Sequence, residues 1–291
     1  MQIYKPAIIW ALEFVDGTAL ALPDDELQCA PGPRDFRWIH IDLTDQRSLT
    51  WIAAAESLPQ PMRDLLLSTQ RHQQAIVEQG YVGCILHDIE RDFDKLDAER
   101  TGALRLVLGE RLMVTARPHP VRSADIVRSR IFSGSVSVRD ASSALNLVVS
   151  AIVDNIANVA RDIASDIEIF EDILLDRPES FDHRRLINIR RRVVQFHRLL
   201  VGMRSVFQRM EQDAELDEDL RPTIERLTQQ LAAIDGDMLS IQGQLRLLRE
   251  EADLKAAERT NQNLYVLSIL SAMLMPPTLV TGFFGMNSGG L

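Results

Sequence analysis

Cysteine is nearly absent: the 291 residues hold only Cys29 and Cys84, with no Cys-x-x-Cys spacing. One disulfide is the most they could form, which excludes a disulfide scaffold and a cysteine-built zinc site. A secretory signal is missing too, since Met1 to Gly17 carries Glu13 and Asp16 and no basic segment ahead of an apolar core. Both absences favour a reducing, cytoplasmic setting for most of the chain. Positive charge is in deficit, with 32 Lys and Arg against 42 Asp and Glu, a formal charge of −10. That balance argues against a nucleic-acid partner, which calls for a basic stripe. No internal repeat, low-complexity tract, phosphate-binding loop or G-x-S-x-G elbow is present. The histidines at 40, 72, 87, 119, 183 and 197 form no H-x-x-x-H pair. With no paired catalytic constellation, enzymatic activity is not expected. The most informative absence is local: after Arg259, the 32 residues from Thr260 to Leu291 carry no charge.

What is present divides the chain. At 25% charged and 46% apolar it has the composition of a folded protein, and its length suggests about two domains. Residues 1–140 mix signals and read as an α/β cytoplasmic domain. Trp38 to Leu43 alternates as a strand does, and Thr44 or Asp45 can cap a helix through Trp51 to Glu56. Tyr81 to His87 reads as a buried strand. Leu104 to Thr115, broken by Gly109-Glu110, reads as a hairpin. The fold class expected is α+β, a mixed sheet flanked by helices, followed by a long-helix stalk that runs into a membrane helix.

Residues 141–221 read as a hairpin of two long amphipathic helices. Apolar residues from Leu145 to Leu174, and again from Leu186 to Met210, recur at three- and four-residue steps. The first arm is acidic (Asp162, Asp166, Glu168, Asp172) and the second is rich in Arg, so ion pairs between the arms and two independently solvated faces both fit. A third helix starts near Pro222, and no proline follows until Pro276. As one helix that interval measures roughly 80 Å, too long for the interior of a globular domain. Residues 222–262 are therefore assigned to a stalk and 263–285 to a transmembrane helix. The 21 residues from Leu264 to Phe284 match the hydrocarbon thickness. Arg249, Lys255 and Arg259 precede the span, which by the positive-inside rule places the body in the cytoplasm.

One face of this helix is distinctive. Alternating steps of three and four pass through Asn261, Leu264, Ser268, Ser271, Met275, Thr278, Gly282 and Gly285. Backward, the same steps pass through Ala257, Leu254, Glu250, Leu247, Gly243, Ser240 and Gly236. In a bilayer small and polar residues face other helices or water. Two readings fit: close helix packing, or several copies around an axis with the seam lining a pore.

Thr260-Asn261-Gln262-Asn263-Leu264, Met275-Pro276-Pro277-Thr278 and Gly282-Phe283-Phe284-Gly285-Met286-Asn287 together resemble the first transmembrane helix of the CorA family of divalent-cation transporters. That helix ends in a Gly-Met-Asn signature. The continuation Asn287-Ser288-Gly289-Gly290-Leu291 resembles the zinc-transporting ZntB branch. The resemblance implies a homopentamer in a bacterial inner membrane, with a cytoplasmic funnel and contact with lipid. It also implies a selectivity motif, Gly285, Met286 and Asn287, at the pore mouth. Asn261, Leu264, Ser268, Ser271, Met275, Thr278 and Gly282 would line the pore below. The expected ion is Zn²⁺, or Mg²⁺ as in the magnesium, cobalt and nickel channels, with no other cofactor. With no His, Cys or carboxylate in the span, either ion would pass largely hydrated. The family has a second membrane helix after this loop, so residues 286–291 read as the start of the loop in a truncated chain.

Other candidates carry alternatives. Glu250 is either a seam carboxylate that attracts cations or a surface partner of Arg246 or Arg249. Asp235 and Asp237 are candidate regulatory-metal ligands between subunits. His87 to Asp92 reads as a solvated loop after a strand, with metal binding the lesser alternative. A different class of function, a membrane-tethered scaffold or sensor, also fits an α/β domain on a membrane helix.

Overall fold

A computed structural model describes residues 7–23, 36–90, 101–176 and 181–286. Seven strands form one sheet: β1 (Ile8–Val15), β2 (Thr18–Ala21), β3 (Phe36–Asp42), β4 (Gln74–Glu78), β5 (Tyr81–Ile89), β6 (Thr101–Gly109) and β7 (Leu112–Arg117). Their order is β2-β1-β3-β7-β6-β5-β4; β3 and β7 run parallel and every other pair antiparallel, so the sheet is mixed. Two tight turns set its edges. Asp16-Gly17 and Gln79-Gly80 all take positive φ (50°, 78°, 54° and 76°). This is the two-residue hairpin geometry whose twist matches paired strands.

Helices α1 (Gln46–Ala53) and α2 (Gln60–Leu67) cover one face of the sheet, burying Ile52, Met62 and Leu65 against Ile39, Ile41 and Val107. Asp45 caps α1, accepting from the Arg47 amide at 2.8 Å, as the capping signal predicts. Helix α3 (Arg122–Phe132) and α4 (Ala141–Asp176) cover the other face. There Leu104, Leu106 and Trp38 join Leu145, Val148 and Ile152 in a core that continues along the long helices. The sheet and the helical part thus share one hydrophobic core.

The mixed sheet, its flanking helices and the long C-terminal helices agree with the expected fold class. The helical hairpin differs from expectation. Helices α4 and α5 (His183–Glu211) touch each other only sparingly, because α6 (Arg221–Met286) packs along both. Arg185–Asp166 at 2.8 Å is an ion pair that bridges the oppositely charged arms. Exposed as it is, such a pair contributes only about 0–1 kcal/mol. The apolar rows hold the bundle, and α6 supplies Leu227, Leu231, Met238, Ile241, Leu245 and Leu248 to them.

Two buried polar groups, His40 and Asp88, have defined roles in the body. His40 Nε2 accepts from Arg117 Nε (3.1 Å), which fixes the other ring nitrogen as the donor to Thr115 Oγ1 (2.8 Å). Trp38 Nε1 also donates to that hydroxyl (2.9 Å), and Trp10 stacks on the imidazole. Burial, with Arg117's charge in support, pushes the His40 pKa down from 6.5 to about 3. Asp88 lies inside β5, and the expectation of a solvated loop at His87 to Asp92 is corrected there. Its carboxylate accepts from the Ile89 amide (2.7 Å) and from the Ser123 amide at the start of α3 (2.9 Å), so a strand residue caps a helix. Arg91 and Asp92 lie outside the described residues. Cys84 is a buried free thiol whose pKa burial pushes up to about 12.

A candidate pore-lining helix

Helix α6 is continuous for 66 residues, roughly 100 Å. It begins at Arg221, with Pro222 in the first turn where its missing N–H costs nothing. Its first half has two unlike faces. Met238, Ile241, Leu245, Leu248 and Ala252, at three- and four-residue steps, are buried against the rest of the body. The seam Gly236, Ser240, Gly243, Leu247, Glu250, Leu254 and Ala257 is exposed throughout. Each seam position from Gly236 to Leu254 lies two residues from a buried one, about 200° around a helix of 3.6 residues per turn, so the seam points away from the subunit's own core. Leu247 and Leu254 are each 66% exposed on it. No protein atom lies within 4 Å of where a Cβ would stand on Gly236, Gly243 or Gly282.

From Thr260 to Gly282 every residue is exposed, and apolar side chains cover all sides of the helix. Helix α4 is also long and apolar enough to span a membrane, but its apolar stretch is 67% buried in the core, whereas that of α6 is not buried at all. Pro276 and Pro277 remove two donors inside the span without ending the helix. The threonine hydroxyls beside them bond back to the helix: Thr278 Oγ1 donates to Leu274 O (2.7 Å) and Thr281 Oγ1 to Pro277 O (2.9 Å). Back-bonding of this kind is how polar side chains persist in hydrocarbon. It leaves the hydroxyl oxygens' lone pairs facing outward as acceptors.

Asn261, Leu264, Ser268, Ser271, Met275, Thr278 and Gly282 all lie on the described, exposed part of this helix. Gly285 and Met286 form its last turn, and Asn287 lies outside the described residues. Glu250 is on the seam but is paired with Arg246 (2.9 Å), one turn back, as its surface alternative anticipates. Asp235 and Asp237, the candidate regulatory-metal ligands between subunits, have different surroundings within the subunit. Two residues apart on a helix, they point to different sides: Asp235 is buried and Asp237 exposed. Both Asp235 oxygens are engaged within the subunit, by His197 Nδ1 (2.8 Å) and Arg204 Nη1 (3.1 Å). Among the described residues no three His, Cys, Asp or Glu side chains form a metal cluster. Sequence reasoning missed the partners His197 and Arg204, because no local pattern announces a contact between α5 and α6.

An α/β body whose own last helix continues as an uncharged, fully exposed span defines a membrane protein built on a stalk helix. The family model described as CorA-like Mg²⁺ transporter protein matches residues 33–291, and the chain belongs to that family. It is similar to the zinc transport protein ZntB of Klebsiella pneumoniae, 26% identical over 300 aligned residues that take in 100% of this chain and 88% of that one. Its fold is shared with the full-length CmaX protein (TM-score 0.83, 20% identity, covering 99% of this chain and 89% of the other). It is also shared with the CorA magnesium transporter of Methanocaldococcus jannaschii (TM-score 0.78, 16% identity, 97% and 89%).

Proposed function

We propose that the chain is a subunit of a divalent-cation transporter of the zinc-carrying type, with Zn²⁺ as its cargo. The observation that carries the reading is the exposed seam of α6, opposite its packed face and continuous from stalk to span, in a chain similar to ZntB along its whole length. Leucines exposed at heptad spacing, between glycines with open space beside them, call for a second helix. Copies of α6 around one axis would cover them, and a homopentamer in a bacterial inner membrane is the assembly this reading adopts.

In that assembly the seam presents oxygens and small residues to the axis. Asn261, Ser268, Ser271 and Thr278 offer neutral acceptors to the water shell of a cation, and Leu264 and Met275 narrow the path. Neutral oxygens hold a hydrated dication without trapping it, as conduction requires. Gly285, Met286 and Asn287 would form the entrance, with the Asn287 amide oxygen meeting the ion's water shell. The acidic body would concentrate cations at its own side of the span.

Uptake into cells expressing the protein tests this. Zinc accumulation should rise, magnesium should not, and Asn287→Ala should remove at least about nine-tenths of the zinc signal, a loss of roughly 1.4 kcal/mol or more. Magnesium uptake alone would favour a second reading, a magnesium channel, which the CorA-like Mg²⁺ family description supports. Unchanged flux in Asn287→Ala would favour a membrane-tethered scaffold.

A further inference from the structure

A second feature lies far from the span. Between the sheet edge and α5 runs an open cleft of about 900 Å³. That volume is within the range of small-molecule sites, about 300–1,000 Å³. One wall is a single stripe of α5, Ile187, Arg191, Val194, Arg198 and Gly202, at three- and four-residue steps, with Arg190 beside it. The opposite wall is Arg71, Gln73, His87 and Thr101. Four arginines and two histidines (His72 is the other) line the cleft, and none of its described lining residues is a carboxylate. In a chain of net charge −10 this is a local reversal of sign.

The wall is also built. A Cβ on Gly202 would stand 2.3 Å from Gln73 Nε2, so only glycine lets the Gln73 side chain cross to α5. Once across, Nε2 donates to Leu199 O (2.9 Å). Gln73 Oε1 is left buried, with no hydrogen-bond partner among the described residues. The cleft therefore combines guanidinium groups for an anion with apolar side chains at Ile187 and Val194 for a flat ring, on a wall fixed by the Gln73 crossing.

We propose that this cleft binds a nucleoside polyphosphate, the phosphates on Arg191 and Arg198 and the base over Val194. Guanidinium forks suit phosphate oxygens and stack on planar rings. A lipid headgroup is disfavoured by distance. His197 and Arg204 meet α6 at Asp235, 25 residues below Thr260, which is roughly 38 Å along the helix. Even Arg190, about two turns nearer the span, lies beyond the ~8–10 Å reach of a charged surface at physiological salt.

Isothermal titration of the detergent-solubilised full chain with ATP, pyrophosphate and adenosine, without divalent cation, tests the assignment. ATP should bind more tightly than pyrophosphate, and adenosine more weakly than either. Arg191→Ala with Arg198→Ala should weaken ATP about a hundredfold while the Lys pair retains part of the affinity, and the thermal midpoint should hold in both. No ATP binding at millimolar concentration, or binding indifferent to the double substitution, overturns the proposal. Pyrophosphate as tight as ATP overturns the nucleotide assignment. If the Ala pair splits the oligomer and leaves ATP affinity unchanged, the cleft is a subunit contact and the proposal falls.

Discussion

At His40 the neighbours decide the protonation state. Its ring accepts from a cation and donates to a hydroxyl, so the neutral imidazole fits and the imidazolium does not. With a folded pKa of about 3 against 6.5 unfolded, the stabilising difference is complete above pH 6.5. It is lost as pH falls from there toward 3, because the unfolded chain takes up a proton that the folded chain refuses. The slope should approach about 1.4 kcal/mol per pH unit. Thermal melts between pH 8 and 4 should therefore fall steeply in the wild type and less steeply in His40→Asn, whose midpoint at pH 8 is already lower. Asp235 makes a parallel case. Asp235→Asn should cost about 1–3 kcal/mol in unfolding, by weakening the bonds to His197 and Arg204, and leave divalent-cation affinity unchanged. A shift in that affinity would mark Asp235 as a ligand.

Single elements differed in how far the sequence announced them. The stalk was legible because one helical period persists from Gly236 to Gly282, and between Gly236 and Ala257 the face that period picks out is exposed. Strand β5 and the β6–β7 hairpin were legible from their long apolar runs. Strands β1, β2 and β4 were not singled out: β2 has four residues, mostly exposed, and β4 five, all half-buried, and both are too short to show alternation. Their signal lay in the turns, Asp16-Gly17 and Gln79-Gly80, where positive φ is needed. The partnering of α4, α5 and α6 could not be read from periodicity, which says that a face is buried and never against what. The same limit applies to the seam, and oligomerisation is its test. Leu247→Asp and Leu254→Asp leave the packed face of α6 untouched, so helical content should hold. Each removes about 1.5–3 kcal/mol of burial per subunit at a seam contact, so sedimentation should show dissociation into monomers. An unchanged assembly would place the contact elsewhere.

Across the whole molecule, the charge distribution organises the account. The −10 lies entirely before Thr260, and among the described residues of the uncharged remainder Thr260 to Gly282 is helix exposed on every side. One unbroken helix connects the acidic body to the neutral span. The central claim is that the seam of that helix, and not its opposite face, meets the ion. Zinc influx into dye-loaded vesicles containing Ser271→Cys or Ile269→Cys, before and after a water-soluble thiol reagent, tests it directly. The two positions lie about 200° apart on the helix. The reagent should block influx through Ser271→Cys and spare Ile269→Cys. Equal block at both positions, or block at 269 alone, would contradict it.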